Sequence, residues 1–141
     1  MLDNVFIQRK IKLIQEDLER LEALSTYSFD DLMKEQDRWN AAERYLEKII
    51  MRAIDINQHI VTELGSGTEQ IKGYEDTFYA VSKLGVYDEA FAKLIAPSAG
   101  LRNRLVHEYN NTQDRIIYDS VSDALQQYAQ YCNAMLEFLK K

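Results

Sequence analysis

The chain contains one cysteine, one proline, one tryptophan and five glycines in 141 residues. A lone Cys132 cannot close an internal disulfide, so the fold has to hold together without one. So few helix breakers in a chain of this length argue for a mostly helical protein. Long hydrophobic runs are missing too. No stretch approaches the ~18 apolar residues of a membrane-spanning helix, and the opening MLDNVFIQRK lacks the apolar run and small-residue cleavage pattern of a secretory signal. A cytoplasmic protein with no membrane role is therefore expected. Positive charge is also in deficit. With 17 Lys and Arg against 23 Asp and Glu, the net charge is −6, which excludes a generic nucleic-acid coat and restricts any RNA contact to a local site.

What the chain does have is apolar side chains, 46% of the total, set at helical spacing. No repeat, linker or low-complexity tract divides it, so residues 1–141 are read as a single domain. Ile7, Ile11, Ile14, Leu18 and Leu21 make one stripe on a helix from about Asp3 to Ala23. The segment STYSFDD, Ser25 to Asp31, supplies a turn and several N-caps. A long second pattern then runs to about Leu64, where Gly65 stops it; its stretch before Trp39 could equally be a separate short helix. Its stripe comprises Trp39, Ala42, Leu46, Ile49, Ile50, Ala53, Ile56, Ile60 and Leu64. Asn57 falls on that stripe and needs a partner if buried, most simply a structural hydrogen bond.

A shorter helix is predicted from Tyr74 to Leu84, and Asp88 is placed to cap another beginning near Glu89. Pro97 then leaves two options for Glu89 to Tyr109, one kinked helix or two pieces. A final helix, in one piece or split near its start, runs from Asp114 to Leu139 and turns Ile117, Val121, Leu125, Tyr128, Cys132, Met135, Leu136 and Leu139 inward. Together these predict an all-α, up-and-down bundle of four to five main helices. Tyr74, Tyr79, Tyr87, Tyr118, Tyr128 and Tyr131 are expected to pack with their hydroxyls reaching water. His59 reads as a surface residue. Asp30/Asp31 and Asp88/Glu89 read as helix-start charges. No metal constellation, Gly-rich phosphate loop or cofactor site is visible.

The stretch GLRNRLVHEYNNT, Gly100 to Thr112, concentrates two arginines, one of the chain's two histidines and a tyrosine. At ~100° per residue, Arg102 and Tyr109 share a stripe with Leu105 and Val106, while Asn103 and His107 lie on an adjoining face. Arg102 among apolar neighbours is either paired with a buried carboxylate or aimed into a groove open to a ligand. A structural account also exists. In it, Arg104 and Glu108 form an exposed pair, His107 complements the helix end, and Tyr109 packs the helix against the bundle.

The string RNRLVHEY resembles the R-x4-H-x-Y signature of HEPN-domain proteins, specifically the HepT-like toxins, with Arg102, His107 and Tyr109 in the three motif positions. RWNAAERYLEKIIMRAIDINQHI is similar to the family's long second helix, YEDTFYAVSKLGVYDEAFAKLI to the segment leading into the motif, and DRIIYDSVSDAL to the start of the final helix. The resemblance implies a helical homodimer whose motif helices line a shared cleft where RNA is cut without metal, the toxin of a type VII-like toxin–antitoxin module. His107 can take the proton of a ribose 2′-hydroxyl near neutral pH, and Arg102 can hold a phosphate oxygen in the transition state. Asn103 and Arg104 would then position RNA. One helix separates Arg102 from His107 by ~140°, an awkward grip on one phosphate that a second copy of the chain relieves.

Family members of this type pair with a minimal nucleotidyltransferase antitoxin that transfers AMP to the motif tyrosine, here Tyr109. The added nucleotide would place negative charge and bulk beside Arg102 and shut the site. A competing expectation, from a different class, is a non-catalytic nucleotide- or substrate-binding partner of a nucleotidyltransferase.

Overall fold

The computed structural model describes residues 1–67, 70–107 and 111–141; the side chains of residues 106, 107 and 111–113 are outside the description. Among the described residues there are seven helices and no strand: α1 Asn4–Leu24, α2 Phe29–Lys34, α3 Gln36–Leu64, α4 Tyr74–Lys83, α5 Glu89–Ile95, α6 Ser98–His107 and α7 Asn111–Leu139. The expected all-α bundle is what forms. Five of these helices have ten or more residues and two are short. The pattern before Trp39 is indeed separate, because α2 ends at Lys34 before α3 starts.

The helix ends follow from local chemistry. The side chains of Asp3, Ser28 and Asp88 each accept the backbone N–H three residues on, capping α1, α2 and α5. Gly85 closes α4. Its φ of +98° lets its own N–H reach the carbonyl of Ser82 while that of Val86 reaches Val81, a double closure that needs the left-handed conformation glycine tolerates. Pro97 separates α5 from α6, so the described part of the region expected from Glu89 to Tyr109, which ends at His107, is two pieces and not one kinked helix. The final helix begins at Asn111, three residues before the expected Asp114.

α1 and α3 run antiparallel, as the pairs Lys10–Asp55 and Asp17–Arg52 record. α7 lies parallel to α3, with Tyr131 bonded at Ala53 and Asn57. The buried core is contiguous and draws on all seven helices. Its predicted members on α1 are all buried, as are those on α3 except Leu64, which is 41% exposed where α3 outruns its neighbours. On α7, Ile117, Val121, Tyr128, Cys132 and Met135 are fully inside, whereas Leu125, Leu136 and Leu139 pack at the margin.

The largest departure concerns the tyrosines. Tyr128 and Tyr131 have no exposed surface, and their hydroxyls bond inside the protein instead of reaching water. Tyr131 donates to Asn57 Oδ1 at 2.7 Å and lies 3.1 Å from the Ala53 carbonyl. Asn57 in turn donates to Thr77 Oγ1 on α4 at 3.2 Å. The hydroxyls of Tyr87 and Tyr118 are likewise turned inward, to the carbonyls of Phe78 and Tyr27. Backbone carbonyls and a buried amide offered these phenols partners at fixed positions, and sequence periodicity carries no information about such partners. His59 is not a bare surface residue either: its Nε2 accepts the Asp3 amide at 3.0 Å, and its ring packs on Phe6.

Tyr131→Phe should cost about 1–3 kcal/mol, because it strands the Asn57 oxygen in the core; urea unfolding would read the loss, and an unchanged midpoint would contradict the network. The pH dependence has a definite sign. Burial pushes the Cys132 thiol from 9.0 to about 12 and raises Tyr87, Tyr128 and Tyr131 above the ordinary 10.0. Above those ordinary values the unfolded chain loses protons that the folded chain keeps, so stability should be intact below about pH 9 and fall progressively beyond it. In the native protein Cys132 should not react with a thiol reagent at pH 8, and should do so once unfolded.

Candidate functional site

α6 carries the motif, and the break at Pro97 sets how it sits. The Ser98 hydroxyl donates to the Ile95 carbonyl at 2.7 Å, spanning the break, and meets the Tyr128 hydroxyl of α7 at 2.6 Å. Both atoms are buried. Ala99, Leu101 and Leu105 turn into the core, which leaves Arg102 at the edge of the buried stripe.

Arg102 is half-buried. Its Nε–H points to the Met51 sulfur of α3 at 3.1 Å, and its guanidinium lies 5.5 Å from the ring centre of Tyr74, the first residue of α4. No carboxylate among the described residues is within ion-pairing distance. Of the two expected alternatives, the buried carboxylate partner is therefore not what these residues provide. A thioether and an aromatic face hold the charge in place without neutralising it. Met51 and Tyr74 are the residues that sequence reasoning missed. Met51 lies off the apolar stripe predicted for its helix, and Tyr74 resembles any of the scattered tyrosines.

Asn103 and Arg104 are exposed on α6. Arg104 faces away from Arg102, lining a cleft of about 280 Å³ with Ser98, Leu101 and, from α7, Asp123 and Gln127. Arg102 and Arg104 are thus not brought together. His107 is the last residue of α6, and its side chain lies outside the described residues, as does the whole of Tyr109, together with Glu108, the expected partner of Arg104. Near the start of α7, Glu43 of α3 has its carboxyl raised by burial and by the negative charges of Asp114 and Glu47.

Among the described residues no three His, Cys, Asp or Glu side chains converge as a metal site, and no helix is long and apolar enough to cross a membrane. A more apolar cleft of about 220 Å³ between α1, α2, α3 and α7, lined by Leu21, Leu32, Trp39 and Val121, does not include Arg102.

Residues 14–135 match the family described as Ribonuclease HepT-like. The chain is 36% identical over 140 residues to the tRNA nuclease HepT of Aphanizomenon flos-aquae, covering 98% of this chain and 92% of that protein. A solved structure of a tri-AMPylated Shewanella oneidensis HEPN toxin in complex with MNT antitoxin matches with a TM-score of 0.79 at 20% identity, over 97% of this chain and 99% of that one. A mutant of the toxin–antitoxin pair MntA–HpeT matches at 0.81 and 19%, over 95% and 99%. At such identities the structural likeness carries the fold alone.

The contact between Ser98 and Tyr128 should be measurable as a coupling. In a double-mutant cycle with Ser98→Ala and Tyr128→Phe, the two losses should fall short of additivity by about 0.5–1.5 kcal/mol. Strict additivity in denaturant unfolding would show that α6 is not held by this pair.

Proposed function

Because the chain belongs to the HepT-like ribonuclease family and is thereby an endoribonuclease, we propose that it is the toxin of a type VII-like toxin–antitoxin module. In this reading it acts in the cytoplasm as a single-domain protein. It cleaves RNA without a metal ion, at a site completed by a second copy of the chain. His107 takes the proton of a ribose 2′-hydroxyl, whose oxygen attacks the adjacent phosphorus; a 2′,3′-cyclic phosphate forms and the 5′-oxygen of the next nucleotide leaves with a proton. Arg102 holds a non-bridging oxygen as charge builds there. Asn103 and Arg104 position the strand.

The observation that carries this reading is the setting of Arg102. A guanidinium half-buried against Met51 and Tyr74, with no carboxylate among the described residues to claim it, keeps its charge for an anion. Five residues on, His107 closes the same helix, and a two-fold partner supplies the second Arg–His set that one helix cannot arrange around one phosphate. The control element in this reading is Tyr109. Its phenol attacks the α-phosphate of ATP, pyrophosphate leaves, and AMP transferred by a minimal nucleotidyltransferase antitoxin occupies the anion site.

Purified protein should cut RNA in excess chelator. His107→Ala should lower the rate by ~10²–10⁴-fold, and Arg102→Ala should lower kcat by ~10²–10³-fold, both with fold and dimer intact. Tyr109→Phe should cut normally yet gain no AMP mass when co-expressed with the antitoxin. An absence of cutting by the unmodified protein would favour the non-catalytic partner reading instead.

A further inference from the structure

Asp17 of α1 is 1% exposed and faces three cations: Arg52, which donates to it through a short bond, Arg20 at 3.0 Å and Lys48 at 4.0 Å. Arg52 is anchored again by the Leu13 carbonyl at 3.3 Å. Arg52 binds one carboxylate oxygen and Arg20 the other, yet a single positive charge balances the one negative charge of Asp17. Three cations against one anion leave a local charge surplus of two, and the more exposed side chains are Arg20 and Lys48, at 53% and 33%, in a chain whose net charge is −6. Like charges held together repel one another unless an anion joins them.

α3 links this group to Arg102. At ~100° per residue, Lys48, Met51 and Arg52 share one sector of α3. Arg52 leans toward α1 and Asp17, while Met51 leans toward α6 and receives the Nε–H of Arg102. Elsewhere on this ridge Arg44 is matched by Glu47 and Lys10 by Asp55, so neither adds to the surplus.

We propose that Arg20, Lys48 and Arg52 form a phosphate-binding track that carries the backbone of a bound RNA across α3, away from the Arg102 site. It rests on the ribonuclease reading above and extends it to the part of the substrate outside the scissile phosphate. Arg20, Lys48 and Arg52 meet at Asp17, whereas Arg102 is held apart from them at Met51; two separate cationic points on the same helix fit a polyanion better than a single free phosphate. Arg52, 18% exposed and held by Asp17 and the Leu13 carbonyl, anchors the group, while the exposed parts of Lys48 and Arg20 face solvent. The guanidinium of Arg20 can bind a phosphate in bidentate fashion.

The test uses the full chain carrying His107→Ala, so that a fluorescein-labelled single-stranded RNA stays intact during titration at several salt concentrations. Arg20→Gln with Lys48→Gln should weaken binding at least tenfold and make the log–log salt slope shallower by about 1.4, or ~0.7 for each phosphate that is no longer neutralised. Arg115→Gln, which removes an exposed cation paired with Asp119 on α7, matches the charge change of Lys48→Gln alone and should leave both unchanged. Lys48→Gln alone disturbs Asp17 least and should remove half of the slope change, which keeps the test open if the double variant folds poorly. In the cleaving protein the double variant should raise KM and spare kcat. Affinity and slope equal to those of the control overturn the track while leaving the Arg102 and His107 mechanism intact. Normal RNA binding with escape from the antitoxin also overturns it, in favour of a protein-binding surface. Conversely, a wild-type protein that cuts nothing but binds RNA with this salt response keeps the track and removes the cleavage mechanism.

Discussion

The side-chain amide of Asn57, fully buried on α3, can be satisfied only by groups that other helices bring to it. Thr77 of α4 accepts its N–H and Tyr131 of α7 donates to its oxygen. Since a buried amide left unpaired costs about 1–3 kcal/mol, this junction fixes how far α4 and α7 can slide along α3. One turn along α7, Tyr128 repeats the device with Ser98 and so sets the first turn of α6. A chain of phenols, one amide and two hydroxyls thus ties four helices to one register. Apolar packing alone tolerates small slips, whereas hydrogen bonds of under 3.3 Å do not.

The motif inherits its geometry from that frame. Pro97 ends α5, Ser98 bridges the break, and α6 leaves with Leu101 and Leu105 in the core and Arg102 at the rim. There the guanidinium meets a sulfur and an aromatic face, partners that orient a cation while leaving its charge uncompensated. The electrostatics of the molecule follow the same division. A chain with a net charge of −6 gathers Arg20, Lys48 and Arg52 at the α1–α3 seam, around the buried Asp17.

Much of this was readable from the residues. The periodicities of α1 and α3, the capping by Asp88 and the stop at Gly65 required only local rules, because caps and apolar stripes are decided within a few residues of sequence. The need of Asn57 for a partner was also legible, though not which partner. Tyr128 was legible as an inward residue, but the internal bonding of the tyrosine hydroxyls was not. A phenol on a helix is amphipathic, and whether its hydroxyl finds water or a carbonyl depends on helices as distant in sequence as Ala53 is from Tyr131. Arg102, His107 and Tyr109 stood out through the family resemblance, while Met51 and Tyr74, each unremarkable by itself, did not.

By itself, then, the sequence determined the helices, most of their buried faces and the residues of the motif, since helical period and side-chain chemistry are local properties. Tertiary structure decided that the region around Pro97 becomes two helices, that the hydroxyls of Tyr128 and Tyr131 bond inside the core, that Arg102 rests on Met51 and Tyr74, and that three cations crowd one carboxylate. Those outcomes depend on which side chains meet across separate helices, and pairing at a distance is settled only when the core closes and every buried polar group must find its partner.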